Sequence, residues 1–158
     1  MNGKLVGGAL VLTAIIGGLG MYYAQVYAFY NPIEASAPAA EIRLVTIEGD
    51  TSEVLLTEGF NGIDADSSPL RYRGCFSTPL SLATLSETYK VYADATPLNA
   101  PNWFDCFNAD AIGADLEMGN AVAFLSEHEI EPGIDRVVAV YPDGRAYAWH
   151  QLNENAEK

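Results

Sequence analysis

The chain has 158 residues, 49% of them apolar, and a formal charge of −13 from 21 acidic against 8 basic residues. That length suits one compact core, and the apolar share excludes a disordered chain. The acidity excludes a nucleic-acid binder, which needs a basic face for phosphates, and disfavours docking of the bulk of the chain on anionic lipid.

Residues 5–24 hold no charge. As a helix they measure about 30 Å, the hydrocarbon thickness of a bilayer. Backbone groups must pair internally in lipid, so the run is expected to be a single transmembrane helix. Residues 1–4 form a short stub, and every Lys and Arg except Lys4 follows the run. Lys4 argues for a cytoplasmic amino terminus and an exported carboxyl-terminal domain. Tyr22, Tyr23, Tyr27, Phe29 and Tyr30 then read as an aromatic belt at the headgroups, and Asn31-Pro32 ends the anchor. A cleaved signal peptide, cut after Val26-Tyr27-Ala28, is the rival reading. Small residues recur every four positions, as in Gly3 and Gly7, then Ala9, Thr13 and Gly17, then Ala14 and Gly18. Such rows let helix backbones approach closely, so Gly7, Ala9, Thr13, Ala14, Gly17 and Gly18 are expected to pack on another helix.

Residues 31–40 are rich in Pro and Ala and read as an extended linker of up to ~30 Å. Residues 41–152 read as one exported α+β domain with a mostly antiparallel sheet. Glu41 to Glu48 is β-branched and predicts a strand, with Glu53 to Thr57 pairing back. Gly59 to Pro69 carries Gly, Asn, Asp, Ser and Pro and predicts a loop. Leu70 to Phe76 and Thr88 to Ala93 predict strands, Pro79 to Leu85 a short helix, and Asn108 to Glu117 a longer one. Ala121 to Leu125 suits either state. The clearest signal is Asp135 to Tyr141, Pro142-Asp143-Gly144, then Arg145 to Leu152, a carboxyl-terminal β-hairpin. Its strands are apolar on both faces, which places it mid-sheet or under a helix. Residues 153–158 are a polar tail.

Cys75 and Cys106 are the only cysteines. Both follow the apolar run, and in an oxidising compartment an even pair is expected to form a disulfide. Cys-x-x-Cys spacing is absent, and Met118, His128 and His150 match no copper-ligand spacing, which leaves a thiol or copper-handling role as the remote alternative. Asp64-Ala-Asp66-Ser-Ser68 opens like a calcium loop but has Pro69 and Cys75 where Gly and Glu belong. Glu127-His128-Glu129 reads as a solvated turn, since adjacent residues share no face. His150 reads as a packed strand histidine. No triad, nucleophile elbow, phosphate loop or zinc spacing is present. Trp103 and Phe104 suit packing around the disulfide; with Tyr89 and Tyr92 they are also the candidate walls of a ligand pocket.

The opening Met-Asn-Gly-Lys, Leu-Thr-Ala at 12–14, Met21 to Tyr30, Arg-Gly-Cys-Phe at 73–76 and Asn-Trp-Phe-Asp-Cys-Phe at 102–107 resemble a family of small single-pass membrane proteins of alphaproteobacteria. The resemblance covers most of the chain. It implies an inner-membrane, periplasm-facing placement, and because the family is functionally uncharacterised it carries no catalytic residues. Some members bear a histidine-kinase label. Two histidines, no nucleotide-binding glycine segment and no room for an ATP-binding domain speak against that label here.

The expected function is that of a non-catalytic accessory or assembly protein of the bacterial inner membrane. Its partner would be another membrane or periplasmic protein, or a second copy of itself. A periplasmic sensor or ligand-binding module is the alternative. No cofactor, metal or nucleic acid is expected.

Overall fold

The structure is a computed structural model that describes residues 2–156. The chain divides between Tyr30 and Asn31 into two compact units. The first is helix α1 (Gly3–Tyr23) followed by a π-helical turn, Ala24–Ala28. The Asn2 side chain caps α1 by accepting from the Lys4 N–H. The Thr13 hydroxyl donates to the Ala9 carbonyl at 2.9 Å, which satisfies it without a partner from outside. No residue of α1 is buried, and an added Cβ on Gly7, Gly17 or Gly18 would meet open space. In the π turn, Tyr27 stacks on Tyr23 at 5.8 Å and meets Tyr22 edge-on at 6.3 Å.

The second unit is an α+β domain. Its strands are β1 (Asn31–Ile33), β2 (Arg43–Val45), β3 (Ser52–Val54), β4 (Glu58–Asp64) and β5 (Arg73–Ser77). After helices α2 (Leu82–Thr88) and α3 (Ala109–Glu117) come β6 (Val122–Glu131), β7 (Ile134–Val140) and β8 (Arg145–Leu152). Six strands form one antiparallel sheet in the order β1-β4-β5-β8-β7-β6, and β2 pairs with β3 separately. The carboxyl-terminal hairpin lies mid-sheet, as its two apolar faces require. Gly144 takes φ +88°, its N–H donates to the Tyr141 carbonyl at 3.0 Å, and every residue of β7 is buried. A second tight turn, Pro132-Gly133, joins β6 to β7 with Gly133 at φ +76°.

One face of the sheet carries the main core. Tyr72, Phe76, Val138, Val140 and Phe124 pack there against Leu44 from β2 and Leu85 from α2. Fully burying each such aliphatic side chain stabilises by about 2 kcal/mol. Trp149 on β8 lies opposite Val137 and is fully buried; with Tyr147 it meets Phe107.

Four expectations need correction. Residues 31–40 are not a stand-off linker. Asn31–Ile33 is an edge strand on β4, where the missing N–H of Pro32 costs no ladder bond, and Pro38–Ala40 is a 3₁₀ turn with Ala40 buried. Residues 59–69 are not all loop, because β4 runs through Asp64. Gly59, at φ +64°, sits where the register with β5 shifts, and Gly62 lies under the Phe60 ring, 2.6 Å from where a Cβ would stand. Thr88 to Ala93 is no regular strand. It makes isolated bridges from Tyr89 to Thr46, just past β2, and from Val91 to Phe124 on β6. Glu127-His128-Glu129 is no simple turn but an irregular stretch of β6, with Glu129 at φ 47°.

Candidate functional site

Between the bridged residues at 89–91 and α3 runs a segment without regular structure. A long irregular loop in a compact domain must be held by specific contacts. Here four devices hold it. Gln151, at the end of β8, accepts from the Thr96 N–H at 2.8 Å and donates to the Asp94 carbonyl at 2.9 Å. The same amide oxygen accepts from the Trp149 indole at 2.9 Å. Arg73 on β5 is buried and donates to the carbonyls of Leu98 at 2.8 Å and Asn99 at 3.0 Å, as well as Leu70 and Tyr72. Cys75, two residues further along β5, forms a disulfide with Cys106 across a Cα–Cα distance of 6.3 Å. Phe107 then packs edge-on against Tyr147 and Trp149. Strand β5 thus fastens both halves of the strap.

The strap walls two clefts. One, of about 690 Å³, lies against α3 and is walled by small residues, among them Pro97, Ala109, Gly113, Ala121 and Ala123. The other, of about 650 Å³, lies against the end of β8. Leu70, Val91, Leu98, Leu125 and Leu152 give the second cleft its apolar wall. Both volumes fall in the usual range for small-molecule sites.

Asp135 organises the polar end of the second cleft. Its carboxylate is buried and accepts from His128 Nδ1 at 3.0 Å, the Glu129 N–H at 2.9 Å, Asn153 Nδ2 at 2.8 Å and the Tyr92 hydroxyl at 3.0 Å. Burial, then the charge of Asp135 and the hydrogen bond to it, push the Tyr92 hydroxyl up to about 12, with Asp94 and Glu154 adding to the rise. Nδ1 of His128 is committed to the carboxylate, which leaves Nε2 as its second polar atom; the side chain is 57% exposed.

A second polar cluster is buried. The Arg136 guanidinium lies 4.2 Å over the Tyr72 ring, its Nε donates to His150 Nε2 at 3.0 Å, and its Nη1 pairs with Glu127 at 3.3 Å. His150 stacks on Tyr72 at 4.6 Å and donates from Nδ1 to the Pro69 carbonyl. Burial, then Arg136, lowers the imidazole to about 4. This histidine is held neutral between fixed partners.

Of the four residues offered as pocket walls, only Tyr92 lines these clefts. Tyr89 is buried and donates to Glu53 at 3.2 Å, while Trp103 and Phe104 meet edge-on at 6.3 Å. Asp135, Gln151 and Arg73 escape sequence reading because each acts on segments distant in sequence, at separations no spacing rule covers. Among the described residues no group of three or more His, Cys, Asp or Glu could hold a metal ion.

The fold and site define a small α+β domain with a strapped, two-cleft sheet, preceded in sequence by an apolar helix that fits a membrane anchor or a signal sequence. The chain belongs to the family of unknown function DUF6446, which matches residues 42–158 and so covers the domain from just before β2 onward and not the helix. No curated protein and no solved structure matches the chain.

Proposed function

We propose that this protein is a membrane-anchored accessory or assembly factor that acts by protein contact and not by catalysis. The observation that carries the reading is the 26-residue stretch Gly3–Ala28, apolar enough to cross a bilayer and buried nowhere. An unpacked helix of that kind finds its partners in lipid. In this reading the amino terminus is cytoplasmic, the helix sits in the bacterial inner membrane, and the disulfide-closed domain works in the periplasm. The disulfide supports an oxidising compartment. The aromatic residues Tyr22, Tyr23, Tyr27, Phe29 and Tyr30 sit at the headgroups, and the small-residue rows of Gly7, Ala9, Thr13, Ala14, Gly17 and Gly18 dock on another membrane helix or on a second copy.

The test is purification of the tagged protein from its native membranes in mild detergent, beside Gly17→Ile and Gly18→Ile. A stoichiometric partner that the substitutions release is the expected result. An association unchanged by both substitutions removes the helix-docking part, and a partnerless protein removes the accessory role.

A specific observation favours a second reading. The cleft beside Asp135 combines an apolar wall with converging polar groups, the usual form of a ligand site. In that reading the domain is a ligand-binding module.

A further inference from the structure

We infer that the cleft between the strap and the end of β8 takes a small organic cation, a primary ammonium carried on an apolar body. The inference rests on the ligand-binding reading of that cleft and names the class of ligand.

The donors of the cleft are turned inward. The Tyr92 hydroxyl, His128 Nδ1 and Asn153 Nδ2 all donate to the Asp135 carboxylate. The Thr96 hydroxyl and Gln151 Nε2 donate to the Asp94 carbonyl. What the same walls leave over is acceptors. In the neutral tautomer that points Nδ1–H at Asp135, His128 Nε2 is an acceptor. Asp94 and Glu154 are among the lining residues, both exposed, and their carboxylates make no hydrogen bond among the described residues. Among the described residues no Lys or Arg lines the cleft. Both carboxylates act electrostatically on the Tyr92 hydroxyl, whose residue lines the same cleft. A carboxylate or phosphate ligand would meet the negative charge of these carboxylates, with one N–H each of Asn153 and Gln151 already committed. An ammonium would find its partners among the neutral His128 Nε2, Asp94 and Glu154, and its body would lie along Leu70, Val91, Leu98, Leu125 and Leu152. The buried Asp135 carboxylate keeps this polarity fixed, because its four hydrogen bonds hold His128 and Tyr92 in place before any ligand arrives.

The test uses the full chain in detergent, with its imidazole and leucine methyl resonances followed by NMR. Three probes share one phenethyl body: phenethylammonium, 2-phenylethanol and 3-phenylpropionate. Nα-acetyl-lysine amide is the fourth. The expected result is that phenethylammonium alone shifts His128 and the leucines of the cleft, while His150 stays still as the internal reference. The double variant Asp94→Asn, Glu154→Gln is expected to weaken it about threefold to tenfold, the range for losing two exposed charge partners. Neither side chain holds the fold, so the variant stays comparable. Equal shifts from all three phenethyl probes overturn the cation inference and leave the ligand-binding reading standing. No shift from any probe overturns both. Tighter binding of the lysine derivative overturns the small molecule in favour of a side chain from a protein partner.

Discussion

Arg136 and His150 face each other across β7 and β8, and the guanidinium Nε donates to the imidazole Nε2 at 3.0 Å. A protonated imidazole cannot accept that bond, and its charge would sit beside a buried cation. The native state therefore holds the neutral form, with the imidazole lowered to about 4 by burial and then by Arg136. Because this value lies below the unfolded value near 6.5, the contribution is complete above pH ~6.5 and is lost as pH falls through about 4. Its size is roughly 3 kcal/mol. Urea unfolding between pH 7 and pH 4 should show this loss in the wild type and a flatter profile in His150→Gln. Equal slopes in the two proteins would contradict it. Asp64 runs the other way, since burial raises its carboxyl and favours the native state in acid, so the comparison with His150→Gln is the reading that counts.

The disulfide closes a separation of 31 residues, and in the chain-entropy model its loss costs about 3–4 kcal/mol. The strap has other fastenings near its start, namely Gln151 at Asp94 and Thr96 and Arg73 at Leu98 and Asn99. Cys75→Ala with Cys106→Ala should thus raise hydrogen exchange most at Trp103 to Phe107 and least at Tyr92 to Thr96. A uniform rise along the strap would mean that the disulfide alone holds it.

Gln151 joins the indole of Trp149 to the backbone of the strap through one amide. Gln151→Leu keeps the volume and removes all three bonds, which leaves the buried Trp149 N–H without its partner. The expected cost is about 2–4 kcal/mol, with the Asp94–Thr96 turn exchanging faster. A variant as stable as wild type in chemical denaturation would show that the strap is held elsewhere.

The sequence was readable where a rule is local. The β7–β8 turn needs Pro, Asp and Gly in order, α3 announces itself through Asn108, whose side chain accepts from the Ala111 N–H, and two cysteines after an apolar run imply their own pairing. It was opaque where meaning comes from a distant neighbour. Asn31-Pro32-Ile33 has the composition of a linker and becomes a strand because β4 lies beside it. The Glu127-His128-Glu129 trio acquires its buried partner only when an irregular β6 brings His128 onto Asp135, and no spacing in the sequence encodes that irregularity. Tyr92 was legible as an aromatic in a candidate pocket, but its partners were not.

Glycine in this domain has opposite meanings at positions that look alike in sequence, and substitution separates them. Gly62 on β4 has no room: an added Cβ would stand 2.6 Å from the Phe60 ring and 3.2 Å from the Arg73 carbonyl oxygen, which strand pairing fixes. Phe60 can rotate but the carbonyl cannot, so Gly62→Ala should cost about 1–3 kcal/mol. Gly144 is worse placed, with φ +88° and a Cβ position 2.7 Å from the Thr78 carbonyl oxygen, so Gly144→Ala should cost at least as much. Gly113 sits inside α3 with its nearest foreign atom, Pro97 Cδ, at 4.0 Å. There the added methyl makes an ordinary contact and removes the entropy penalty of a helical glycine, so Gly113→Ala should stabilise by about 0.5–1 kcal/mol. Thermal unfolding of the three variants checks the set. Destabilisation by Gly113→Ala would mean that the cleft against α3 closes more tightly than its 690 Å³ allows.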